Sequence, residues 1–297
     1  MLKNLLPKSH SLILIVYLLL AGGCIEIVTN VPESTPKMVV FSFISPGESI
    51  QVEIRKSEPL YLTSNSTQSE ELYPFVKDAK VRIEDTGSGV SVDIPYSETE
   101  GRYVLPAGEF NILMGGRYKL TASSGDLPPI VAYTQVPHST PNVLRCRIDS
   151  TQNHFYFDFF VAGEILDFAN ETNYYSYNIH IQKGYYSVDE DSLHLFNKTN
   201  DKGILSDHQR DGQAMGFRSN QITEYSWLVN IVVTVMHVDI NYYKYHSSLY
   251  EGEYRNFFSE PLPLHSNIEG GEGVFASYTS VRFTWEYKPR ELQGYFE

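Results

Sequence analysis

Cysteine is nearly absent from this sequence: Cys24 and Cys146 are the only two in 297 residues. That excludes a disulfide framework and leaves at most one bridge. Basic residues are also scarce. Lys and Arg number 23 against 36 Asp and Glu, a formal charge of −13, which repels nucleic acid and anionic lipid headgroups. After residue 24 no apolar run reaches the roughly 20 residues that a membrane-crossing helix needs. Missing too are the spacings that carry catalysis or metal binding. There is no G-x-S-x-G, no H-E-x-x-H, no EF-hand loop and no glycine-rich loop ending in Lys-Ser or Lys-Thr. The nine histidines fall at no ligand spacing. The expectation is a non-enzymatic protein with no catalytic residue, no metal site and no cofactor.

What is present begins with a leader. Residues 1–11 carry Lys3 and Lys8 and no acid, and residues 12–21 are an unbroken apolar run. A basic start, a short apolar core and small residues before a cut make a secretory signal peptide. Gly22 and Gly23 are small enough for a peptidase site, and Cys24 offers a thiol that can take a diacylglycerol. Residues 1–23 are therefore expected to be a lipoprotein signal peptide, cut between Gly23 and Cys24, with the acylated Cys24 as the anchor in the bilayer. Ala21 departs from the usual Leu three places before the cysteine. The alternative is an ordinary signal peptidase cutting near Gly23, which leaves Cys24 free to bridge Cys146 in an oxidising compartment. Cys146 itself lies in an alternating run and suits a small buried hydrophobe. Removing the leader lowers the formal charge to about −15, since both of its lysines go with it.

The remaining chain reads as all-β. Residues 24–36 are polar, contain Pro32 and Pro36, and suit a tether. Residues 37–136 read as short strands separated by turns, an immunoglobulin-like or prealbumin-like β-sandwich. Ile50, Val52 and Ile54 alternate with polar neighbours, as do Val81 and Ile83. Gly101-Arg102-Tyr103 and Gly116-Arg117-Tyr118 repeat a G-x-Y arrangement. Residues 137–141, with Pro137 and Pro141, form a linker. Residues 142–297 are a second β-rich domain with one short helix over 240–250, capped by Asp239. Residues 227–236 predict a central strand. Residues 189–216, polar and irregular, read as a long loop.

Three features invite chemistry and are weighed against structure. The acidic stretch 189–211, with Asp189-Glu190-Asp191 and Asp207-His208-Gln209-Arg210-Asp211, reads as a solvated loop, with a loose calcium site as the alternative. Gly270-Gly271-Glu272-Gly273 reads as glycines that let backbones approach closely. The pairs Tyr174-Tyr175, Tyr185-Tyr186 and Tyr242-Tyr243 read as aromatic packing, with stacking on sugar or peptide as the alternative. An enzyme acting on envelope glycans needs a cleft with two facing carboxylates.

Several of these pieces occur in a recognisable order. The Leu20-Ala21-Gly22-Gly23-Cys24 lipobox, the 79–85 strand and the two G-x-Y elements come first. Tyr242-Tyr243-Lys244-Tyr245, Phe258-Ser259-Glu260-Pro261 and the run Ser266-Asn267-Ile268-Glu269-Gly270-Gly271-Glu272-Gly273-Val274-Phe275 follow. Together they resemble family 4249 of domains of unknown function (DUF4249), envelope lipoproteins of Gram-negative, Bacteroidota-type bacteria. The resemblance implies an outer-membrane, lipid-anchored protein, with surface exposure favoured over a periplasmic facing. It also implies an accessory or ligand-binding partner of a TonB-dependent transporter, because family members tend to be encoded beside one. The alternative is a surface adhesin or structural module without a transporter. The family has no established catalytic residues, and the ligand-binding residues are not legible in the sequence.

Overall fold

The computed structural model describes residues 35–57, 74–152, 157–187, 192–224, 227–253 and 263–286. The leader, the Gly23–Cys24 junction, nearly all of the tether and Asp189-Glu190-Asp191 lie outside them. Residues 36–297 form one compact unit.

Alternation dictates the early strands. Met38, Val40 and Ile44 of β1 (Met38–Ile44) are buried between half-buried neighbours. Ile50, Val52 and Ile54 of β2 (Ile50–Lys56), and Val81 and Ile83 of β3 (Lys80–Asp85), repeat the pattern. Short strands follow at β4 (Ser91–Ile94), β5 (Tyr96–Ser97), β6 (Arg102–Leu105), β7 (Arg117–Ser123) and β8 (Ile130–Gln135). The second half contributes β9 (Asn142–Gln152), β10 (Phe157–Leu166), β11 (Tyr174–Ser187), β12 (Ser192–Ser206), β13 (Ala214–Arg218), β14 (Ile222–Glu224) and β15 (Trp227–Val238). Then come α1 (Ile240–Glu253), β16 (Ile268–Glu269) and β17 (Glu272–Glu286). The protein is mainly β, with one helix among the described residues.

An eight-stranded sheet runs β12-β11-β15-β17-β1-β2-β6-β5, a five-stranded sheet runs β16-β8-β7-β3-β4, and β9, β10, β13 and β14 form a third. One core gathers β1, β2 and β6 with the five-stranded sheet, an arrangement consistent with a sandwich. A second core gathers β10, β11, β13 and β15. The 137–141 junction separates two cores but not two sheets, because β1 and β17 pair in parallel from Val39↔Glu272 to Ile44↔Ser277.

The segment 267–275 explains that union. Ile268 and Glu269 pair with Ala132 and Val131 of β8, and three residues later, from Glu272, the same segment pairs with β1. It therefore crosses from one sheet of the first core to the other. Asn267 braces the crossing: its side chain donates to Tyr133 O at 3.0 Å and Phe275 O at 2.8 Å, and accepts from Phe275 N at 3.0 Å. Ile268 and Phe275 are buried in the first core. The glycines permit the approach. A Cβ on Gly273, whose φ is +106°, would meet the Val40 carbonyl, and one on Gly271 the Met38 carbonyl. The expected close backbone approach is thus what these glycines provide.

The G-x-Y tyrosines are core groups with a polar handle rather than rings lying across a sheet face. Buried Tyr103 accepts from Ala79 N at 2.8 Å and donates to Val76 O at 2.9 Å. Buried Tyr118 accepts from Leu113 N at 2.6 Å. Each hydroxyl satisfies backbone groups of a neighbouring loop that no ladder reaches.

One expectation is overturned. Within the described part of the expected 189–216 loop, residues 192–216 are not a long loop: β12 pairs with β11 along its length, and β13 begins at Ala214. β12 is an edge strand with one neighbour, so nothing requires it to carry the apolar alternation that marks buried strands. Only 207–213 forms the connecting loop between these strands. Residues 227–236 do form a central strand, with β15 flanked by β11 and β17.

Candidate functional site

The end of β15 and the start of α1 build one wall of a cleft. Asp239 caps α1, accepting from Tyr242 N at 2.8 Å. Its other oxygen accepts from Thr134 Oγ1 at 2.6 Å and Asn241 Nδ2 at 3.2 Å. Burial raises its carboxyl to about 6, outweighing those hydrogen bonds. Thr134 lies on β8, so the cap also ties the five-stranded sheet to the helix. Asn241 Nδ2 adds a bond to Tyr133 O at 3.3 Å.

His237 pins the linker. Its Nδ1 lies 3.1 Å from Ser139 O, to which Thr279 Oγ1 also donates at 2.7 Å. The imidazole stacks against Phe168 and Tyr175, with centroids 5.7 and 5.1 Å away. Burial lowers its pKa and favours the neutral ring. The bond to the linker carbonyl fixes the ring's orientation.

A cavity of about 620 Å³ opens over these residues, lined by Arg117 and Tyr133–His138 on one side and Glu171–Tyr174 on the other. A second cavity of about 640 Å³ lies across the 170–174 ridge, and Glu171, Thr172 and Tyr174 line both. Tyr174 stacks on Tyr243 of α1, centroids 4.5 Å apart. These volumes fall in the range of small-ligand sites.

Beneath the ridge, carboxylate oxygens of Asp167, Asp207 and Asp211 lie within 4.8 Å of one another. Asp207 is buried, unlike the solvated loop expected from the sequence, and buried Asp167 joins it from β10's end. All three carboxylates already accept backbone amides: Gly212 N at 2.8 Å on Asp167, Asn173 N at 2.7 Å on Asp207 and Asn170 N at 2.8 Å on Asp211. Tyr175 OH donates to Asp167 at 2.9 Å. Oxygen groups so spaced are of the type that takes Ca²⁺, and here they also act as struts joining two loops.

The tyrosine pairs divide. Tyr175 is a core residue, Tyr242 packs on Phe43 at 5.4 Å, and Tyr174 and Tyr243 stack at the ridge. Cys146 is half-buried with a free thiol pushed up to about 11 by burial, in line with a packing role. The cleft and the contribution of Asp167 were missed by sequence reasoning. Arg117, Thr134, Glu171 and Asp239 converge only through long-range pairing, and no local spacing signals it.

No curated protein matches the chain. A solved structure, Escherichia coli alpha-2-macroglobulin activated by porcine elastase, is similar at 12% identity over 69% of this chain, with a TM-score of 0.24. The chain spans only 18% of that protein's length, and a likeness this weak carries no argument. The family model described as a domain of unknown function (DUF4249) matches residues 25–284. That span includes both cores, the cleft and the sheet-crossing glycines, and the chain belongs to the DUF4249 family.

Proposed function

We propose that the protein is a lipid-anchored, non-enzymatic binding subunit of the bacterial outer membrane that works beside a TonB-dependent transporter. The observation that carries the binding half of this reading is the cleft over Asp239. It is of ligand size and lined by side chains of both charges. The anchor half is supported by the Leu20-Ala21-Gly22-Gly23-Cys24 sequence. The transporter half is supported by family membership and the tendency of such proteins to be encoded beside these transporters. Surface exposure is the favoured facing.

Purification through a C-terminal tag in mild detergent tests the partnership. A large β-barrel protein is expected to come down with the chain. Recovery of the lipoprotein alone would contradict the partnership and favour a surface adhesin.

A further inference from the structure

The cleft's chemistry narrows its ligand, on the reading above that it is a binding site. Its walls form a row of bonded neighbours. Arg117 of β7 pairs with Gln135 of β8. The adjacent Thr134 bonds Asp239 just past the end of β15. Val238 then pairs with Tyr174, which the ridge residue Glu171 precedes. Arg117 and Glu171 therefore stand at opposite ends of the row, and both are exposed and line the cleft. Among the described residues neither makes an ion pair. The only other carboxylate lining this cavity, Asp239, is buried and already accepts from Thr134, Asn241 and Tyr242.

Between the two charges the lining mixes half-exposed Tyr133 and Ile240 with the amides of Gln135 and Asn241. Two of the row's steps are ladder spacings of ~4.8 Å, and the third, from Thr134 to Asp239, is a side-chain contact between two sheets, so the path along the row is on the order of 15 Å. Less the reach of the two side chains, that distance suits a chain of about two to four residues at ~3.3–3.6 Å each. A neutral sugar leaves both charges unused. A simple anion meets Glu171 and the chain's net negative charge, and a polyamine leaves Arg117 unmatched. A ligand with opposite charges at its ends, amides between and a partly apolar body matches both exposed charges and the mixed lining between them.

We propose that this cleft binds short peptides with free termini, the C-terminal carboxylate on Arg117 and the N-terminal ammonium on Glu171. Arg117 can clamp a carboxylate through two parallel N–H bonds. The test incubates the full-length, detergent-solubilised protein with a mixture of free-terminus tripeptides, identifies those retained by mass spectrometry, and titrates one against its end-capped analogues. N-acetylation or C-amidation is expected to weaken binding roughly tenfold or more, since each removes one charge-assisted contact. Arg117→Gln is expected to abolish discrimination against the amidated end only, and Glu171→Gln against the acetylated end only. Both side chains are exposed, so neither change should disturb folding. Retention of no tripeptide, equal affinity for capped and free forms, or retention of maltotriose in place of peptides would overturn the proposal. These results are independent of the co-purification: a recovered barrel without peptide retention removes only the peptide assignment, and the converse removes only the transporter.

Discussion

Replacing Gly273 by Ala attacks the point where the first and last described strands join. At Gly273 φ is +106°, and an added Cβ would meet the Val40 carbonyl oxygen, with Val40 N at 2.8 Å and Val40 C at 2.9 Å. All three are backbone atoms of β1, so no side chain can swing away. An L-residue in such a conformation costs about 1–3 kcal/mol, and forcing an atom into packed surroundings adds about 1–3 kcal/mol. Gly273→Ala should therefore destabilise by roughly 2–6 kcal/mol. The loss should fall on the parallel β1–β17 ladder and on Phe275's place in the first core. Gly216→Ala is the control. There a Cβ meets only the Gly163 carbonyl at 3.8 Å, so the change should be neutral or stabilise by up to about 1 kcal/mol. Urea unfolding followed by circular dichroism measures both. A Gly273→Ala midpoint equal to that of the unchanged protein would refute the reasoning.

Other expectations follow from single groups. Folding raises Asp239 from 3.8 to about 6, so it favours the protonated form; its stabilisation is full below pH 3.8 and is lost as pH rises through 6. Two pH units at 1.36 kcal/mol each is about 3 kcal/mol, so the stability of Asp239→Asn relative to the unchanged protein should rise by that amount between pH 4 and 7; parallel pH curves would contradict it. His246, held down to about 4 mainly by burial, changes stability in the opposite sense but is common to both proteins. Tyr103→Phe should cost about 1–3 kcal/mol in denaturant titration, because the Ala79 amide and Val76 carbonyl lose their partner; an unchanged midpoint would mean water replaces the hydroxyl. With its thiol raised to about 11, Cys146 should react with iodoacetamide at pH 8 roughly 100-fold more slowly than an ordinary thiol, measured by peptide mass spectrometry against the urea-unfolded chain.

Legibility in the sequence followed locality. Alternation placed β2 and β3, a stretch apolar on both faces apart from Asn230 and Thr234 placed β15, and Asp239 announced the helix it caps. β12 escaped because an edge strand needs no buried alternation. The role of Gly270-Gly271-Glu272-Gly273 was legible in kind, as close backbone approach, but its partners Pro129, Met38 and Val40 lie far away along the chain. The cleft failed for the same reason: Thr134 and Asp239 are 105 residues apart. Asp167 carries no local motif, and only the turn after β10 brings it to Asp207 and Asp211.

The proposed lipid anchor would decide where the protein resides and which partners it can reach. Mass spectrometry of the N-terminal peptide from membranes tests it directly. The account expects a chain beginning at Cys24 that carries diacylglycerol. Cys24→Ala should abolish labelling by a fatty-acid probe and leave uncleaved precursor or soluble protein, with the fold intact. An unmodified Cys24, or one bridged to Cys146, would contradict the lipid anchor and remove the support for an outer-membrane location and a transporter partner.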